Sequence, residues 1–430
     1  MSLILHRTTQ PPPQLRDIPR IPVWPLLLSY ISGEVEERRV KRLLLPFARQ
    51  HQADIVLLLK QTPPADMLLW RFTGRHNVFF AEGEQWQKHS RIVKAALQRT
   101  NPLEQFAHLC SRLCGLIGSG GRVRWNDLSH RFTLDAVGTT VLGYEFEALD
   151  KPEGSLITQY HLVMSAISSP LYVFVGSLEQ LLPRHKVRRE VDALVDKFFA
   201  ILAAKKTNPG NDIITFMLEE PNMTDQELRD NIVILFMAAH DSTAGTMSSL
   251  IYYLGKYPEV QSRARAEVNL ILRPGDEVMV EHLSQTPYLR AIIFESMRLN
   301  NPANVTLPRV ADVPVNGLII PPETPIFLNM CAVLHNERYW EKPSSFNPER
   351  FMDGDTRADE GNWTPFGLGP RQCPARKFSL TEQRFLTAML LREYEWTIPT
   401  DSIHINGIRN AFSPFAINAP FDMDIDFRKL

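Results

Sequence analysis

The chain has 430 residues, 44% of them hydrophobic and 22% charged, with 47 basic side chains against 48 acidic ones. A formal net charge of -1 sets up no long-range field that would recruit nucleic acid, and the apolar content excludes a chain disordered beyond its ends. One large domain is as compatible with this length as two or three smaller ones. Four cysteines, Cys110, Cys114, Cys331 and Cys373, are too few and too irregularly spaced for a disulfide framework, which points to a reducing, intracellular compartment.

Residues 1–32 form a proline-rich N-terminal segment, with Pro11, Pro12 and Pro13, that lacks the uninterrupted apolar core of a signal peptide. The longest apolar runs are Ile21 to Ile31, broken by Pro22 and Pro25, and Ile232 to Ala239. Both fall well short of the roughly 20 residues that cross a bilayer. The expectation is a chain without a transmembrane span, either cytosolic or peripherally attached to the endoplasmic reticulum membrane. Residues 33–430 read as a single domain that begins with a largely helical stretch from Gly33 to Lys60. Cys110 and Cys114 lie four apart on one helical face beside His108; no fourth metal ligand is apparent nearby, so they read as core thiols. Gly115 to Gly121 lacks the lysine of a phosphate loop and reads as a turn.

Thr224-Asp225-Gln226-Glu227 has the pattern of a capping box. No proline follows until Pro258, and Gly255 is a plausible stop, so a helix of about 30 residues is expected, buried because its middle is apolar nearly all round. A second helix is expected from about Tyr288 to Leu299, ending before Pro302. Beyond it Val305, Leu307, Val310, Val313, Val315 and Ile319-Ile320 alternate among prolines and a glycine, as short strands do. Helix returns after Cys373. The fold class is therefore mainly α with a smaller β portion, an α+β chain.

The most informative segment is Phe366-Gly367-Leu368-Gly369-Pro370-Arg371-Gln372-Cys373-Pro374-Ala375. A sulfur anion kept from water needs a fixed turn and positive surroundings, or it takes up a proton. Glycines permit the turn, Arg371 supplies charge, and the following helix aims its positive end at the sulfur. Phe366, Gly369, Arg371 and Cys373 match, at the right spacing, the haem-binding loop of the cytochrome P-450 family, which the chain resembles from about Phe80 onward.

That resemblance implies a P-450-like fold with a long central helix over haem b, Cys373 as the axial sulfur ligand of the iron, and Arg371 paired with a haem propionate. Ala375 stands where the family normally has glycine. Glu295-Ser296-Met297-Arg298 is similar to the family's Glu-x-x-Arg motif, and Pro348-Glu349-Arg350-Phe351 resembles the segment whose arginine completes a bracing triad, here Glu295, Arg298 and Arg350. Ala238-Ala239-His240-Asp241-Ser242-Thr243 sets an acid and hydroxyls inside an apolar helix, where burying an acid needs a reason. It is similar to the oxygen-activation motif, with Asp241 as the acid and Ser242 in place of the usual threonine. By the same similarity Trp86 and Arg309 are further propionate partners; Ser90 occupies the place of the usual basic residue, and Arg91 lies one residue beyond it.

The activity so implied is monooxygenation: one atom of O2 is inserted into an apolar small-molecule substrate, with electrons from a separate NADPH-dependent flavoprotein reductase, since no flavin or nicotinamide site is recognisable here. Cys373-Pro374-Ala375-Arg376-Lys377-Phe378 and Ile18-Pro19-Arg20-Ile21-Pro22 look similar to fungal members of secondary metabolism. Gln61 to Glu84 reads as a shortened front. Two rivals remain: a haem-thiolate isomerase or dehydratase that uses no O2, which the Asp241-Ser242 pair argues against, and a catalytically silent haem-binding relative.

Overall fold

The computed structural model describes residues 15, 18–52, 67–100, 102–169, 172, 178–273, 278–306, 310, 314, 317–322, 324–352, 361–411 and 418–430. Residues 53–66, which take in the end of the expected Gly33–Lys60 stretch and part of the short front, lie outside them, as does Arg309. The helices of nine residues or longer are α1 Val23–Ile31, α2 Gly83–Arg99, α3 Leu103–Ile117, α4 Trp125–Val137, α5 Ser155–Ile167, α6 His185–Thr207, α7 Asp225–Lys256, α8 Pro258–Ile271, α9 Pro287–Leu299 and α10 Arg376–Glu393. None of them is long and apolar enough to cross a membrane.

Helix α7 is the element that the rest packs on. Its start is fixed by the expected capping box: Glu227 N donates to Thr224 Oγ1 at 3.2 Å, and Thr224 N donates back to a Glu227 carboxylate oxygen at 2.9 Å. Lys88 on α2 adds an ion pair to Glu227 at 2.9 Å. The helix runs for 32 residues and stops where Pro258 opens α8. Its N-terminal half sends Leu228, Ile232, Val233 and Phe236 into a core shared with α2, α5 and α6. Its C-terminal half sends Met247, Leu250, Ile251 and Leu254 into a second core with α3, α4, α8, α9 and α10. At the seam between the two cores the buried pattern breaks: Ala238 is exposed, and Asp241 and Ser242 are only half-buried.

The β portion differs from the one expected. A three-stranded antiparallel sheet is built from β1 Gly120–Arg124, β2 Tyr394–Thr397 and β3 Asp424–Lys429, with β3 in the middle. Alternation of Trp396, Ile425 and Phe427 into the core fixes its register. Of the strands expected from Val305 to Ile320, the described residues contain a bridge between Val305 and Asn329; residues 307–309, 311–313, 315 and 316 lie outside them. Val310 and Ile319 are exposed. Within Gly115–Gly121 the turn is confined to residues 118 and 119, with α3 running to Ile117, Gly118 ending it at positive φ, and β1 starting at Gly120. Cys110 is fully buried in the core, and burial raises its thiol pKa well above the ordinary range.

Gly245 of α7 passes against backbone: a Cβ added there would lie 2.5 Å from the Asn418 carbonyl oxygen. Asn418 is itself tied down, its N–H donating to Pro302 O at 2.9 Å and its amide to Asn301 O at 2.9 Å. A glycine-to-alanine change inside a helix normally stabilises by about 1 kcal/mol. Here Gly245→Ala should instead destabilise by roughly 1–3 kcal/mol through overpacking, visible as a lower thermal midpoint of the haem-loaded protein. A raised midpoint would mean that the Asn418 segment yields freely.

Candidate active site

The cysteine loop is built by backbone closure. Gly367 N donates to Thr364 O at 2.9 Å, Gln372 N to Gly369 O at 3.0 Å, and Cys373 N back to Phe366 O at 2.8 Å. Both turns require the left-handed region, with φ of 69° at Gly367 and 70° at Gly369. Trp363 anchors the approach: its indole N–H donates to Phe294 O at 3.0 Å, and its ring stacks on Phe294 at 4.1 Å. Cys373 is thereby delivered just ahead of α10, where the Ala375 N–H points at the sulfur. Burial raises the thiol pKa, and that N–H only partly offsets it.

On the flank of the loop, the Arg371 guanidinium lies 4.2 Å over the Trp86 ring and donates to Ala81 O at 2.9 Å. Two residues 285 positions apart in the chain are so brought together at the start of α2. Arg91, one residue past the usual basic position, is exposed.

Behind the loop, Glu295 and Arg298 are fully buried and joined by two hydrogen bonds, at 2.7 and 2.9 Å. Arg350 Nε reaches Glu295 Oε1 at 3.3 Å. The remaining donors are satisfied by carbonyls: Arg298 by Leu334 and Pro343, Arg350 by Lys342. Asn347 N also donates to Glu295 at 2.9 Å. This is a charged network with its hydrogen bonds made, as burial demands.

At the seam of α7, burial pushes the Asp241 carboxyl up to about 7, while the nearby Tyr160 phenol pulls it down. Asp241 nonetheless keeps 29% of its side-chain surface accessible. Ser242 Oγ donates to Ala238 O at 2.6 Å, a bond within its own helix that leaves the oxygen lone pairs for other donors. His240, the neighbour of the acid, is fully buried.

Residues 63–413 match the family model for Cytochrome P450. The chain belongs to the cytochrome P450 family. Among similar proteins, salviol synthase from Salvia pomifera is 26% identical over 348 residues, covering 76% of this chain and 69% of the relative. Cytochrome P450 monooxygenase xanG from Aspergillus fumigatus is 26% identical over 361 residues, covering 75% and 66%. Cytochrome P450 3A40 from Oryzias latipes is 23% identical over 395 residues, covering 82% and 76%. Plant, fungus and fish are thus all represented, and the fungal likeness expected from the sequence is not singled out.

As a cytochrome P450 monooxygenase, the chain is a haem-containing oxidoreductase with a haem-thiolate cofactor. The residues present fit that group. Cys373 offers a sulfur that needs a cation to stay anionic. A Cβ built on Gly367 or Gly369 would meet nothing within 4 Å, and the apolar Leu368 between them is exposed, so the loop has open space beside it. Cys331 offers no such face; it is buried among Ile21, Leu26, Val40 and Leu44. Among the contacts described, none joins Cys373 directly to Asp241 or Ser242, although α7 packs on α10.

Sequence reasoning missed Trp363, Tyr160 and the surroundings of His240. Trp363 sits three residues before Phe366 and was recoverable as an apolar anchor; Tyr160 comes from α5 and carries no local signal.

Alanine at Glu295 or Arg298 would leave a buried charge unpaired, at roughly 3–5 kcal/mol. Both variants should yield little folded, haem-loaded protein, measured by haem content per chain. Normal loading in both would mean that the pair does not brace the loop.

Proposed function

We propose that this cytochrome P450 inserts one oxygen atom from O2 into an apolar organic substrate, with electrons from a separate NADPH-dependent flavoprotein reductase, and that it works in secondary-metabolite biosynthesis. The observation that carries this reading is Cys373: a sulfur whose burial disfavours its anion, held in a closed loop with open space over Gly367 and Gly369. Bound haem would supply dioxygen activation at a thiolate-ligated iron, the thiolate favouring O–O cleavage.

The chain's own residues then have separable tasks. Cys373 would give the axial sulfur, with Phe366 and Gly369 shaping its loop. Arg371, Trp86 and Arg309 would hold the propionate edge, the first two already in contact. Glu295, Arg298 and Arg350 would brace the loop from behind. Asp241 would hold a proton on its carboxyl, as its raised pKa favours, and pass it towards the groove through the Ser242 hydroxyl. Residues 33–430 would act as one domain, because α7 serves both cores. An intracellular location, cytosolic or peripheral to the endoplasmic reticulum membrane, agrees with the free cysteines.

Removing the relay groups should leave haem binding nearly intact. In Asp241→Asn and Ser242→Ala variants supplied with reductase and an apolar substrate that is turned over, product per NADPH should fall and hydrogen peroxide rise. The scale is that of losing a general acid, roughly 10²–10⁴-fold in the proton-dependent step. An unchanged ratio in both variants would remove the relay and favour an isomerase or a silent relative.

A further inference from the structure

The relay reading uses Asp241 and Ser242 but leaves a second cluster on the same stretch of α7 unexplained. His130 of α4 meets His240 and Asp241 there: one ligand-capable atom from each lies within 4.8 Å of the others. The two imidazole rings sit 5.3 Å apart, and His240 Nε2 is 3.6 Å from Asp241 Oδ1. His240 Nε2 is buried without a hydrogen-bond partner, and the Tyr160 phenol, whose ring lies 5.9 Å from that of His240, is turned to Asp241. An orphaned ring nitrogen beside a carboxylate is costly to bury unless something joins them.

The Thr133 hydroxyl lies 3.1 Å from the His130 carbonyl oxygen and 3.0 Å from His240 Nδ1, and its one proton can serve either. Given to the carbonyl, it leaves Oγ1 to accept from Nδ1–H and bares the Nε2 lone pair, which is the tautomer that coordination through Nε2 requires. An imidazole fixed by a hydrogen bond at one nitrogen and presenting the other is the arrangement found in metal-ligating histidines. Burial also keeps both rings neutral, lowering His130 to about 4 and His240 well below the ordinary imidazole range, as coordination requires.

We propose that His130, His240 and Asp241 form a binding site for a borderline divalent cation of the zinc type, separate from the haem. Two neutral imidazoles and one carboxylate are a donor set that suits Zn2+, with a fourth position left for water. Closing to bonds of about 2.0–2.2 Å asks for rotation of the His130 and Asp241 side chains, both only partly buried, while His240 stays fixed. Binding itself does not depend on the proton-relay reading; its consequence does, because a cation on Asp241 would occupy the carboxylate that hands on the proton.

The test uses the haem-loaded full chain, dialysed against a chelator and then titrated with ZnCl2, with tightly bound zinc counted per haem. Wild type should retain one zinc more than His130→Gln and His240→Gln, each weakened by at least roughly 10-fold, the lower bound seen for loss of even an outer partner. Thr133→Val, which removes the hydroxyl between His240 Nδ1 and the His130 carbonyl, should weaken binding by roughly 10–100-fold. If His240→Gln loses its haem, the partly exposed His130 still decides the matter. Equal zinc in wild type and His130→Gln, or none in wild type, overturns the site. In the same samples, zinc should lower product per NADPH in wild type and not in His130→Gln. Zinc that binds without changing that ratio upholds the site and counts against the relay.

Discussion

A sulfur atom buried at the end of a protein loop keeps a negative charge only if a positive partner stabilises it more than burial destabilises it. In this chain the balance inside the protein alone falls short: one backbone N–H, from Ala375, does not offset the burial of Cys373. The rest of the architecture is arranged around making that balance favourable on binding a cation. Closed backbone turns at Gly367 and Gly369 hold the sulfur in place, the Trp363–Phe294 stack fixes the loop to α9, and the Glu295–Arg298–Arg350 network makes α9 and the 342–351 segment one rigid support. Phe294, Glu295, Arg298 and Arg350 are remote from the sulfur in sequence, yet they limit how far it can move.

The central helix solves the complementary problem of putting polar groups where apolar burial is the rule. A helix of 32 residues that served one core would bury a continuous face. Serving two, it has a seam, and the seam is where Ala238 is exposed and Asp241 and Ser242 are half-buried. The acid can then be desolvated enough to hold a proton near neutral pH and still be reached from outside. His240, one residue away, is fully buried in the packing between α4, α5 and α7, yet its Nε2 stays 3.6 Å from Asp241.

What was legible in the sequence was what is local. The capping box at Thr224 and Glu227, the stop before Pro258 and the i,i+3 pair Glu295–Arg298 depend on neighbours within a turn of helix, and all three stand in the structure. The cysteine loop was legible for the same reason, its closing bonds spanning few residues. Arg350 was placed with the pair by family likeness, because nothing local says that a residue 55 positions on shares Glu295. The three-stranded sheet was not located, its strands lying at 120–124, 394–397 and 424–429. Gly120-Gly121-Arg122-Val123-Arg124 is too short and glycine-rich to announce a strand; it is held by β3 and by Arg122 and Arg124 paired with Asp426 and Asp424. Of the apolar alternation after Val305, Val305 itself bridges to Asn329, and most of the residues from 306 to 316 lie outside the described ones. His130 beside His240 is of the same non-local kind, since helix packing alone brings them together.

The account turns on which sulfur the iron takes, and the four cysteines allow that to be asked directly. Haem-loaded wild type, Cys373→Ala and Cys331→Ala would be reduced under carbon monoxide and their absorption spectra compared. The account predicts the red-shifted Soret band of thiolate-ligated iron in wild type and Cys331→Ala, and its loss in Cys373→Ala. A band kept by Cys373→Ala and lost by Cys331→Ala would contradict it.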